Sequence, residues 1–124
     1  MNETRRHTQQ RAFALAANLL TLPMPEVFTW DIRGGDNPLS GLLYRCPTLD
    51  ETRLALHVWA VVFDAPVWTV RPHPVGRTFV SVTGIYRGLQ VEIWNILDIA
   101  EIDVDELSTP PAVDLPASAQ EVTA

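Results

Sequence analysis

Three basic side chains stand close together between Val70 and Arg77, where Arg71, His73 and Arg77 are interleaved with Pro72 and Pro74. Two guanidiniums around an imidazole can hold a phosphate or a carboxylate, and an imidazole that titrates near neutrality can move a proton. No positioned acid or nucleophile accompanies them. A proline-stiffened loop with solvated charges is therefore the weightier reading, and an anionic-ligand site or an enzyme centred on these residues is the alternative.

The other reactive residues are isolated from one another. His7, His57 and His73 never fall at the i,i+3 or i,i+4 spacing that sets two metal ligands on one helix face. His57 shares a helical stripe with Asp50, Arg53 and Asp64 and reads as an exposed histidine on a polar face. The single cysteine, Cys46, excludes an internal disulfide and reads as a buried structural thiol, a nucleophile only if His57 or His73 meets it in space. The run Arg33–Pro38 has two glycines but neither GxGxxG nor GxxxxGK[ST], so it is a turn and not a phosphate cradle. The expectation is no metal, no cofactor and no catalytic set.

The elements that position these residues alternate between helix and paired strands. Thr8–Leu22 has helical periodicity, with Phe13, Ala16, Ala17 and Leu20 on one face, and stops before Pro23. Val27–Arg33 alternates as a strand with Phe28, Trp30 and Ile32 together. Leu39–Cys46 returns with Leu42, Tyr44 and Cys46 on one side. Thr48 and Glu51 form a capping signature for a helix running to Asp64, whose apolar side holds Leu54, Val58, Val61 and Val62. Pro66–Val70 is a third strand.

Thr78–Tyr86 and Leu89–Ile96 form a hairpin around Arg87–Gly88. A two-residue turn pairs Tyr86 with Leu89, Gly84 with Val91 and Val82 with Ile93. A bulged turn would shift that register by one. The predicted fold is α+β, with an antiparallel sheet of four or five strands and two helices packed on one face, in the order αββαββ(β).

The 124 residues make one domain, and 47% hydrophobic content supplies a core. The net charge of −6 is unevenly placed. Seven acids and no base follow Asn95, which leaves the body with nine arginines against eight acids. Residues 1–97 read as the globular domain, 98–107 as an acidic-hydrophobic segment and 108–124 as a disordered tail, with Leu97–Leu107 forming a short helix or an edge strand. An acidic chain argues against nucleic acid as a partner, and Arg5, Arg6 and Arg11 lack the interleaved aromatics of a single-strand site. No apolar run reaches the ~18 residues of a membrane span. The expected location is the cytoplasm.

The hairpin has large side chains on both faces. If Val82, Val91 and Ile93 point inward, then Phe79, Trp94 and Ile96 gather on the other side. Exposing them is unfavourable at ~25 cal/mol per Å² of apolar surface, so either this chain or another covers them. In the acidic segment, Ile99, Ile102 and Leu107 alternate with carboxylates, as in segments that fold onto a partner. The sequence therefore favours a small, cytoplasmic, non-enzymatic interaction or regulatory module. It would meet a protein partner or a second copy of itself through Phe79, Trp94 and Ile96, through Ile99, Ile102 and Leu107, or through both sets.

Overall fold

The computed structural model of the chain describes residues 2–32 and 39–111. The turn expected at 34–38, the tail from Ala112 onward and the side chain of Arg5 lie outside the described residues. The elements in chain order are α1 (Asn2–Leu19), β1 (Val27–Ile32), β2 (Leu39–Leu43), α2 (Leu49–Val61), β3 (Asp64–His73), β4 (Arg77–Tyr86), β5 (Leu89–Leu97) and α3 (Val104–Ser108). The fold is α+β, with a five-stranded sheet in the order β1-β2-β5-β4-β3. No helix among the described residues is long and apolar enough to cross a membrane.

The β4–β5 hairpin has the register of the two-residue turn. Tyr86 opposes Leu89, Gly84 opposes Val91 and Val82 opposes Ile93. Arg87 and Gly88 have φ of 51° and 79°, the two left-handed residues that a type I′ turn requires. The sheet departs from the expected purely antiparallel arrangement at one pair, because β2 and β5 run parallel, with Leu42 beside Trp94. A parallel neighbour needs a long crossover. Here it is the whole stretch from α2 through β4, which carries the chain over the sheet and back to its middle. Of the short helix or edge strand expected within Leu97–Leu107, the helix is what forms, as α3.

One core lies between the sheet and the helices. Val80, Val82, Val91, Ile93 and Leu97 of the sheet join Leu15 and Leu19 of α1, Leu56 and Trp59 of α2, and Leu107 of α3 in a single cluster. Both long helices are turned by one residue from the faces predicted for them. On α1 the buried stripe is Ala12, Leu15, Ala16 and Leu19, while Phe13 and Leu20 are each 70% exposed. The two alanines let the helix approach the sheet closely, and two leucines fill the space between. On α2 the buried residues are Thr52, Ala55, Leu56 and Trp59, with Phe63 just beyond, and Val61 is 83% exposed. The face carrying Trp59 and Phe63 removes more apolar area from water than the one carrying valines, so it wins.

Two strands also differ from expectation. A bulge between Val27 and Thr29 breaks the alternation of β1 and turns Phe28 outward, where it is 66% exposed. On β2 the core side is Leu39, Gly41 and Leu43, and Leu42 lies on the opposite face. Gly41 is required there, since a Cβ would lie 2.7 Å from the Trp30 ring. Trp30 in turn meets Trp59 edge to face, with ring centroids 5.9 Å apart.

Candidate functional site

All three helices contribute to the one core cluster, so they lie on one side of the sheet. Side chains alternate along each strand, which makes the opposite face readable from the pairing. One row crosses all five strands through Thr69, Ser81, Trp94, Leu42 and Thr29. The next holds Arg71, Phe79 and Ile96, and beyond it His73 stands opposite Arg77. On the other side of the aromatic row lie Thr83, Glu92, Ser40 and Asp31, where the Ser40 hydroxyl donates to Glu92 Oε1 at 3.2 Å.

The expected patch is therefore present as a stacked column. The Phe79 and Trp94 rings lie 5.6 Å apart at an interplanar angle of 25°, and the Arg71 guanidinium sits 4.2 Å from the Phe79 centroid. Phe79 is buried by these two neighbours, outside the main core, and Trp94 and Ile96 remain partly open. Beneath the column, the Ser81 hydroxyl is fully buried without a hydrogen-bond partner.

The basic trio is not a loop. Arg71 and His73 are strand residues on β3, Arg77 opens β4, and only Pro74–Gly76 form the turn between them. Strand alternation gives all three the same face as Phe79. The two sites that the sequence offered as alternatives are thus adjacent parts of one surface. The apolar centre is Phe79, Trp94 and Ile96, and its border is formed by Arg71, His73 and Arg77. Arg77 Nε also donates to the Pro74 carbonyl at 3.2 Å, which holds the turn.

The residues 98–107 take a course that their composition did not show. The segment folds over the helix side of the sheet. Ile102 and Leu107 are buried in the core and Ile99 packs against it. The Thr78 hydroxyl donates to the Ile99 carbonyl at 2.6 Å. Asp103 and Glu106 form a reciprocal capping box at the start of α3. These three apolar residues, expected to meet a partner, are used inside this chain, and the ordered body runs past residue 97.

His57 is likewise not an exposed surface histidine. Its ring lies 4.3 Å from that of Trp68, and its Nε2 donates to the Leu107 carbonyl at 2.9 Å. Arg53, one turn earlier on α2, donates to the Glu106 carbonyl at 3.2 Å. The polar stripe of α2 is thus a clasp for the last carbonyls of α3, which a helix leaves without partners.

Cys46 meets neither histidine. Burial, and then the nearby Glu51 carboxylate, raise its thiol above the usual cysteine range. Its carbonyl matters more: it accepts from Asn95 Nδ2 at 2.8 Å and from the Thr52 hydroxyl at 3.0 Å, while Asn95 also donates to Thr52 Oγ1 at 2.9 Å. Sequence reasoning missed this trio, although one signal was available. Asn95 is the lone polar residue among the core-facing positions 91, 93, 95 and 97 of β5.

Of the clefts, one of about 580 Å³ brings Cys46 together with Arg45, Glu51 and Asn95. Another, between Val70, Pro72, Thr78, Glu101 and Ile102, measures about 490 Å³ and has an acidic rim. A third, about 340 Å³, lies between the end of α1 and the Trp30 and Trp59 rings. Among the described residues no group of three or more His, Cys, Asp or Glu side chains is arranged to hold a metal ion. Set against protein-family models, curated proteins and solved structures, the chain matches none.

Proposed function

We propose that the protein is a small, non-enzymatic interaction module that binds a protein partner on the helix-free face of its sheet. The observation that carries this reading is the Arg71–Phe79–Trp94 stack, held on a face that no described helix covers. Tryptophan and arginine dominate the energetics of protein interfaces because they desolvate a large area while keeping a polar handle. Stacked side chains already restrict one another, so less side-chain entropy is lost when a partner docks.

The partner's chemistry follows from the border. Arg71, His73 and Arg77 on one side of the apolar centre suit a surface or segment carrying apolar side chains next to carboxylates. The free thiol of Cys46 fits a reducing compartment such as the cytoplasm.

The test compares the full chain with Trp94→Lys for capture of partners from the host's lysate. Trp94→Lys should lose the captured protein while its far-ultraviolet circular dichroism stays that of the parent. Capture undiminished by Trp94→Lys would remove the open face as the binding surface. The second reading, a small anionic ligand, is favoured by His73 and Arg77 standing opposite each other beside Arg71. It would gain the upper hand if phosphate or carboxylate metabolites raised the melting temperature and Arg71→Ala abolished the rise.

A further inference from the structure

The two outer strands of the sheet end its hydrogen bonding in different ways. β3 carries Pro66 and Pro72, is broken by a bulge between Asp64 and Val67, and has α3 packed against it. Prolines, bulges and a covering helix are the devices that stop an edge from recruiting another strand. β1 has a bulge at its start and α1 packed against it. From Thr29 to Ile32 it runs without proline or basic residue and pairs with β2 on one side. Among the described residues no strand pairs with its other side.

We propose that this edge pairs with β1 of a second copy, antiparallel about a two-fold axis centred on Trp30, so that two five-stranded sheets become one. The strand's own sequence selects that register. In an antiparallel pair, directly opposed residues share a face. A two-fold at Trp30 sets each Thr29 opposite the partner's Asp31 on the open face, which places a hydroxyl beside a carboxylate twice. Moving the axis to Asp31 would instead set the two Asp31 carboxylates against each other, and moving it to Thr29 would carry the pairing into the bulge between Val27 and Thr29. The pairing also closes on itself. With the β3 edge blunted, each chain has one edge to offer, so association stops at a dimer and does not run on into a filament.

Sedimentation equilibrium of the full chain across the micromolar range tests this, with Thr29→Lys, Thr29→Glu and Trp94→Lys alongside. Thr29 is exposed, so its replacement spares the core, and circular dichroism checks each fold. The wild type should dimerise. A lysine opposite Asp31 should tighten the dimer about fivefold and a glutamate should weaken it about fivefold, since the pair occurs twice. Trp94→Lys should leave the dimer unchanged while affecting partner capture, so failure of the open-face reading and failure of this one are distinguishable. A wild type that stays monomeric overturns the proposal. So does a dimer that ignores both Thr29 substitutions, or one that Trp94→Lys abolishes.

Discussion

At the scale of single residues, the most consequential side chain is Asn95. It turns the start of α2 and the Cys46 carbonyl into one buried hydrogen-bonded unit with β5. Asn95→Ala would remove one of the two donors to the Cys46 carbonyl and the amide that donates to the Thr52 hydroxyl, at a cost of about 1–3 kcal/mol. Urea denaturation should show the lowered midpoint; an unchanged midpoint would mean that water replaces the amide. Cys46 carries a second expectation. Because burial, then Glu51, raise its pKa, less thiolate is present at pH 8 than in an unhindered cysteine, and maleimide labelling should be slow. Glu51→Gln removes the lesser cause and should quicken labelling at fixed pH. Of the residues read as reactive from sequence, His57 was the least legible. Its partners, the ring of Trp68 and the carbonyl of Leu107, come from segments that no local pattern connects to it.

At the scale of elements, legibility depended on whether a residue pair or a stripe set the geometry. The β4–β5 register could be read because a two-residue turn leaves one pairing that buries Val82, Val91 and Ile93 together. The faces of α1 and α2 could not, because each helix offers two overlapping apolar stripes one residue apart. Which stripe faces the sheet is decided by the partner surface. The segment after Leu97 failed for a related reason: alternating acids and aliphatics describe an amphipathic strip without saying which core receives it. Its integration gives a direct expectation. A chain cut after Leu97 loses Ile102 and Leu107 from the core and the carbonyls that Arg53 and His57 hold. Two buried aliphatic side chains correspond to about 3–6 kcal/mol. That is a large share of the ~5–15 kcal/mol by which a domain of this kind is stable. The truncated chain should therefore melt far below the full one, and equal melting would show that α3 contributes little.

At the scale of the whole molecule, the sheet divides the protein into a side packed with helices and a side that no described helix covers. Fold class followed from alternation and proline placement, but the sharing of one face by the basic trio and the hairpin aromatics did not. Arg71, His73 and Arg77 had to be seen as strand residues before they shared a face with Phe79. The parallel junction of β2 with β5 has a consequence of another kind. β5 is the last strand among the described residues and sits at the centre of the sheet, so α1, β1 and β2 have no place to dock until residues 89–97 exist. During synthesis the amino-terminal third must wait, apolar surface showing, while β3, β4 and β5 form a local meander first. Folding kinetics should record that order. Val82→Ala or Ile93→Ala would chiefly slow folding, and Leu39→Ala would chiefly speed unfolding. The reverse pattern in a chevron analysis would mean that the two halves find each other before the hairpin closes.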